Sequence, residues 1–434
     1  MNRKFYLLIS AFLCSSCSLS TLFTPKATIL KEPNKFRSVV RGDNFNALAQ
    51  NVRDFAANFA FESDKLFNDQ SMNYAVSPVS MFSALAVASA CADGNTKQEL
   101  VDALKTTSSL LEDEFANLYA ASNILKTAAN KNQVVKKEEF TNSLWLDKNV
   151  EFNSALLDLL AEKFYSFTVQ VDYLHNYKKA NKQMSKFVEE KTNGLLSPKF
   201  NFDPSTILTI LNTLYLKTLW YDTSDDMSTS SETYDFVNRD KSIKSQKLFV
   251  TNYQQGRILR SEKYSSFFAQ TVSGDRIKFV VPNDGYELED VINSDTILEV
   301  NNATYNGVDE LNKTMYYGKT YFPGFEAECD IDAKRTISAL GVKDFFTDGA
   351  CDFSPLTGGQ GVYCDKIMHA TKLKVEKRGI EGAAYTAVVM KSESALIEPE
   401  YTEIYEDFVV DKAFYYVVSD HNNLPLFSGV VNKI

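Results

Sequence analysis

Histidine is scarce in this 434-residue sequence: there are three. Of the six cysteines, no pair among Cys91, Cys329, Cys351 and Cys364 has metal-ligand spacing, so the usual zinc and transition-metal ligand sets are missing. No G-x-S-x-G elbow, H-E-x-x-H helix or phosphate-binding G-x-x-x-x-G-K-[ST] loop occurs. The one glycine cluster, residues 358–361, lacks a flanking strand and helix and reads as a surface turn. Carboxylates are plentiful, but nothing singles out an acid–base pair. A surplus of positive charge is also lacking, with 46 basic against 56 acidic residues and a net charge of −10. That excludes a general nucleic-acid binder, which needs a basic face. The short basic run Lys136-Lys137 is followed at once by Glu138-Glu139 and reads as solvated surface. The sequence therefore predicts no catalytic residue, no metal, no cofactor and no nucleic-acid partner.

What is there begins with a targeting segment. Residues 1–17 place Arg3 and Lys4 before an apolar stretch from Phe5 to Leu13, then small residues ending at Cys17. The stretch is too short to span a bilayer comfortably and has the proportions of a signal peptide. Ser15-Ser16-Cys17 resembles a relaxed bacterial lipoprotein cleavage site, although Cys14 stands where leucine is usual. Lipidation of Cys17 and ordinary secretion both fit, and either places the product outside the cell or on its surface. A lipid at Cys17 would be the chain's only membrane contact, with residues 18–42 as a flexible tether. Cys14 and Cys17 spell C-x-x-C, but inside a signal segment that is no redox site. Cys351 and Cys364 could join outside the cytosol; the alternative is that they, Cys91 and Cys329 are mostly buried thiols.

From Asp43 onward the pattern is that of one mixed α+β domain, residues 43–434. Apolar residues at Phe45, Leu48, Val52, Phe55 and Phe59 predict a helix with Asp43 as its N-cap. A short strand, a Ser-Pro turn and a deep helix of small residues follow over 72–91. Helices are predicted within 152–166, 179–196 and 332–342. Strands are predicted in 141–148, 167–173, 276–282 and 319–331, with a closing hairpin over 414–431 turning at 421–423. Residues 207–216 form the most continuous apolar strand, that of a central strand covered on both faces, interrupted by Asn212.

Several separated blocks together resemble the serpin family, from about residue 44 to the end. Asn73, Ser77, Pro78 and Ser80 match N-x-x-x-S-P-x-S, and Gly94 and Thr96 match G-x-T. Phe187, Val188, Thr192 and Gly194 are similar to W-V-x-x-x-T-x-G. Asn212, Tyr215, Leu216, Lys217 and Trp220 resemble N-A-x-Y-F-K-x-x-W. Pro323 and Phe325, Leu340-Gly341-Val342, Asp352-Phe353-Ser354 and Phe427-Ser428-Gly429 continue the order. The resemblance implies three β-sheets, about nine helices and an exposed reactive-centre loop. It also implies a monomeric inhibitor of serine, or cysteine, endopeptidases that traps the acyl-enzyme when the cleaved loop inserts into the main sheet. The alternative is a non-inhibitory binding or carrier protein on the same fold. The resemblance further implies that Ser77, Ser80, Asn212 and His369 meet beneath the sheet and latch it, and that Trp220 covers the top where insertion begins.

Residues 379–390 fit such a loop physically, since a segment that enters a sheet must already be written as a strand. Alternation from Ile380 puts Ile380, Gly382, Ala384, Thr386, Val388 and Met390 on one face, all apolar or small. Glu381 and Ala383 fall on the other, and Gly379 supplies a flexible entry point. By resemblance the hinge is residues 379–384, and family spacing puts the scissile bond near Glu393-Ser394. The loop is longer than usual, so Met390, Lys391, Glu398 or a later position are alternatives. Lys377 stands where the family has glutamate, Ile380 where threonine or serine is common, and Gly382 where alanine is usual. Those departures bear on insertion speed. The acidic run beyond 392 recruits a basic protease surface or only keeps the loop solvated.

Overall fold

The computed structural model describes residues 28–33, 39, 41–67, 72–127, 134–220, 226–252, 254–256, 258–305, 314–359, 361–365, 367–384 and 402–434. The principal sheet uses eight strands: β1 (Thr28–Lys31), β2 (Ile124–Thr127), β3 (Val134–Asp147), β4 (Ser166–Val171), β5 (Leu208–Leu219), β6 (Phe325–Asp332), β7 (Met368–Glu376) and β8 (Gly379–Ala384). Their order is β1-β4-β3-β5-β8-β7-β6, with β2 also paired to β3. The β3–β5 ladder is long and antiparallel, from Lys136 opposite Thr218 to Leu146 opposite Leu208. β6 and β7 pair antiparallel from Phe325 opposite Val375 to Asp332 opposite Met368. Among the described residues no ladder joins β5 directly to β7; β8 stands between their upper ends.

A second sheet runs in the order 259–260, 264–270, 276–282, 414–419, 425–431 and 74–76. Its central strands Arg276–Pro282, Phe414–Ser419 and Pro425–Val431 are buried along their whole length. Strands 228–229, 249–250, 320–322 and 408–409 form a four-stranded sheet that runs on into a three-stranded one of 254–256, 314–318 and 402–405, the two together making a third sheet. A small hairpin lies at 234–246. Ten α-helices occur among the described residues, close to the expected count.

Helices α1 (Asp43–Asp64), α2 (Pro78–Cys91), α3 (Gly94–Ala103), α4 (Ser154–Lys163), α5 (Tyr173–Lys191) and α6 (Lys334–Ala339) bear on the site. In α1 the five periodic apolar residues are all buried. In α2 every residue except Ala84 and Ala90 is buried. Its alanines and serines allow neighbouring backbones to approach where larger side chains would hold them off.

Three expectations are corrected. Gly42, not Asp43, occupies the N-cap of α1; Asp43 is the first helical residue, where its charge faces the positive helix end. Thr28–Lys31, within the expected tether, adds to β4 as an edge strand because Ile29 has an apolar patch to pack on. The run at 136–139 is not surface. Lys136 and Glu138 are fully buried while Lys137 and Glu139 are half-exposed. A strand alternates its side chains, so one charged tetrapeptide supplies an inner pair and an outer pair. The expectation that residues 207–216 are covered on both faces holds for Thr213–Tyr215 and Leu216; Leu208–Asn212 are only half-buried.

Candidate functional site

The first turn of α2 lies under the gap between β5 and β7. Ser77 sits at the N-cap with extended backbone, the geometry that leaves its amide free to point outward. That amide donates to Nε2 of His369 on β7 at 3.0 Å, while Ser77 Oγ donates to the Leu426 carbonyl at 2.7 Å. One turn later Ser80 Oγ donates to Oδ1 of Asn212 on β5. Asn212 Nδ2 donates to Asn142 Oδ1 at 2.7 Å, and Asn142 Nδ2 to the Phe164 carbonyl at 3.0 Å. The four predicted polar residues thus form two branches from one helix turn. Ser77 holds β7, and Ser80 holds β5 and, through Asn142, β3. No hydrogen bond among the described residues joins His369 to Asn212.

His369 must accept at Nε2 and so is neutral there; its ring meets Phe59 edge-on, centroids 5.7 Å apart. Burial lowers its pKa from 6.5 to about 4. Asn142 was missed in the sequence. It stands between Thr141 and Ser143 in a strand that also carries Lys136, Lys137, Glu138 and Glu139, so the signal that marked Asn212, an amide inside an apolar run, was missing there.

At the upper end β8 is seated between β5 and β7. Gly379, Ile380 and Glu381 pair with Leu219, Thr218 and Lys217 on one side, and with Glu376, Val375 and Lys374 on the other. Ile380 is fully buried, as the alternation requires, and Glu381 is half-buried. The ladder becomes irregular between Gly382 and Ala384, where Ala383 falls opposite Leu216 and Ala384 opposite Lys217. Gly379 has a role beyond flexibility. A Cβ there would lie 2.0 Å from the Thr218 carbonyl oxygen, so only glycine lets the backbone come this close.

Trp220 straps the turn between β7 and β8. Its indole Nε1 donates to the Glu376 carbonyl at 2.8 Å and its amide to the Arg378 carbonyl at 3.1 Å. The ring packs edge-on against Phe322. Lys377 and Arg378 occupy that turn, both about half-exposed and near the Asp226 carboxylate at 4.0 and 3.9 Å. The unusual charge of Lys377 is therefore solvated and outside the strand.

Beside the hinge lies a buried charge cluster. Thr218, which pairs with Ile380, hydrogen-bonds Ser273 Oγ at 2.7 Å, and Ser273 donates to Asp275 Oδ2 at 2.7 Å. Asp275 Oδ1 pairs with Lys136 Nζ, which also lies 2.8 Å from Glu138 Oε2. Burial disfavours charge on all three. Asp275 and Glu138 together outweigh it and raise the Lys136 pKa; Lys136 outweighs it and lowers that of Asp275. For Glu138 burial wins, and its carboxyl is pushed well above the usual range, toward the neutral acid. Cys17, Met390, Lys391, Glu393, Ser394 and Glu398 lie outside the described residues.

Among known proteins, the family model for Serpin (serine protease inhibitor) matches residues 52–434. An uncharacterized serpin-like protein of Methanosarcina acetivorans is 26% identical over 384 residues, 86% of this chain and 84% of that protein. Neuroserpin of Homo sapiens is 27% identical over 375 residues, 83% and 85%. In structure, the thermophilic serpin tengpin in its native state superposes with a TM-score of 0.71 at 19% identity, covering 94% of this chain and 100% of that one. Human thyroxine-binding globulin gives 0.68 at 19% identity, covering 90% and 99%. The chain belongs to the serpin family.

Proposed function

We propose that this serpin is a suicide inhibitor of serine, or cysteine, endopeptidases, which it traps as the acyl-enzyme when the cleaved loop enters the principal sheet. One observation carries the reading: β8, the segment leading into the loop, is already a strand between β5 and β7, and below it no ladder joins those two strands among the described residues. Extending β8 downward would satisfy the facing edges of β5 and β7 with backbone hydrogen bonds. The two serine branches of α2 hold the flanking strands without tying them to each other, an arrangement compatible with their separation. Cys17 would carry a lipid that leaves the domain at the outer face of a membrane.

A small protease panel tests this: trypsin-like, elastase-like, chymotrypsin-like, Glu-specific and papain-like. A detergent-resistant band at the summed mass supports trapping, and the mass of the released C-terminal peptide locates the bond among Met390, Lys391, Glu393 and later positions. Cleavage by every loop-cutting protease without such a band favours the carrier reading, in keeping with a fold that a thyroxine-binding globulin shares.

A further inference from the structure

The segment from Cys351 to Cys364 bridges the two halves of the principal sheet at the end remote from β8. On one side it belongs to the helices beneath β3–β5. The Asp352 amide donates to Thr96 Oγ1 of α3 at 3.0 Å, and the Asp352 carbonyl accepts from Asp93 at 3.0 Å. Asn153, whose side chain caps α4, donates its amide to the Leu356 carbonyl at 3.0 Å. On the other side the segment belongs to β6 and β7. Lys334 Nζ on α6 donates to the Asp365 carbonyl at 3.0 Å, and the Ile367 amide to Asp332 Oδ1 at 3.0 Å, one residue before β7 begins. Between these anchorages the chain turns through Gly358 and Gly359, both at positive φ.

The two cysteines return to the same place. The Cys351 amide donates to the Thr347 carbonyl at 3.1 Å and the Cys364 amide to the Phe345 carbonyl at 2.9 Å, acceptors two residues apart. Both side chains pack, partly buried, on the same core. Both are thiols in this structure.

From this juxtaposition we infer that Cys351 and Cys364 are a disulfide site, closed by exchange with a disulfide donor, and that the bond staples the α3–α4 side of the sheet to the start of β7. The exchange runs in two steps. One cysteine thiolate attacks the donor disulfide, forms a mixed disulfide and expels one donor thiolate. The second cysteine then attacks its partner's sulfur and expels the other donor thiolate. Two protons and two electrons pass to the donor, which leaves as two thiols. In support, the Cys364 backbone lies within hydrogen-bonding reach of the Cys351 sulfur. Burial pushes Cys351 up to about 11 and Cys364 up to about 12. Few thiolates are then present at neutral pH, so closure is slow without a catalyst, and thiols of high pKa are poor leaving groups once the bond exists. Cys91 and Cys329 are deeply buried and stay out of the exchange.

The test uses the full chain and stands apart from any protease activity. The purified protein is incubated to constancy with a mixture of oxidised and reduced glutathione poised as in an oxidising compartment and a catalytic amount of a disulfide isomerase, then denatured, alkylated and digested with trypsin. The expected result is a peptide 344–366 lighter by two hydrogens and unlabelled in most molecules, taking up two labels after reduction, with Cys91 and Cys329 labelled throughout. Two labels on peptide 344–366 before reduction, or a bond to Cys91 or Cys329, would overturn the inference. Cys364→Ser supplies a second readout. Oxidation should raise the melting temperature of the parent and leave that of the variant unchanged; equal behaviour of the two counts against the staple.

Discussion

His369 shows how one side chain can make sheet stability depend on pH. Its Nε2 accepts the Ser77 amide, and protonation would leave that amide facing an N–H. Its pKa is about 4 in the fold against 6.5 unperturbed. The unfolded chain therefore binds more protons between those values, and stability rises with pH across the window. The contribution is complete above pH 6.5 and is lost as pH falls through 4, a difference of about 3 kcal/mol. Denaturant titrations of the parent and His369→Gln at pH 7 and pH 4 should show the parent losing about that much more; parallel losses would discard the assignment. Lys136 makes a second residue-scale case. Lys136→Met strands Asp275 as a buried carboxylate and should cost about 3–5 kcal/mol. Glu138→Gln should cost under about 1 kcal/mol, because burial already holds Glu138 toward its neutral form. Unfolding free energies of the two variants decide it: an equal cost would mean that Glu138 is ionised.

At the scale of elements, period and punctuation made much of the fold legible. Phe45 to Phe59 in α1, the small residues of α2 after Ser77-Pro78, and the hairpin around 421–423 all announce their structure locally. Charge misled where it obscured alternation: Lys136 and Glu138 face inward on β3 and Lys137 and Glu139 outward, although the four residues look uniformly hydrophilic. The site was legible only through resemblance, since Ser80 and Asn212 are 132 residues apart and Ser77 and His369 292. Of the seating of β8, the strand character and the inward face of Ile380 were legible from alternation, but not that the strand already stands between β5 and β7. That position depends on a close backbone approach, and Gly379 reads in sequence only as a flexible residue. Gly379→Val tests that contact, because its Cβ would meet the Thr218 carbonyl oxygen at 2.0 Å and must push β8 off β5. Hydrogen exchange of the 380–382 amides should speed up by at least about ten-fold while 414–431 stays protected. Unchanged protection would mean that β8 is held by β7 alone.

For the whole molecule the question is where its free energy lies before and after the loop is cut. β5 and β7 share no ladder below β8 among the described residues, so the intact protein leaves strand-pairing capacity unused in its largest sheet. A cut between 385 and 401 frees the segment after β8 from its C-terminal attachment at Thr402–Tyr405, which pairs with 314–317 in another sheet. Each residue that then joins the principal sheet adds backbone hydrogen bonds worth about 1 kcal/mol net. Some ten residues would raise the melting temperature by more than about 10 °C. A merely nicked carrier would gain nothing, because no new pairing forms. Ala384→Arg separates the two further. In an inserted strand of regular register, without the present irregularity at 382–384, alternation from Ile380 places position 384 on the inner face, where a guanidinium would have to be buried without a partner. The variant should be cleaved at the parent's rate, gain no thermal stability and form no covalent complex. Calorimetry on intact and cleaved forms of both proteins gives the answer: a cleaved parent that melts where the intact one does removes insertion, and a cleaved Ala384→Arg that gains as much as the parent removes the register on which the insertion reading depends.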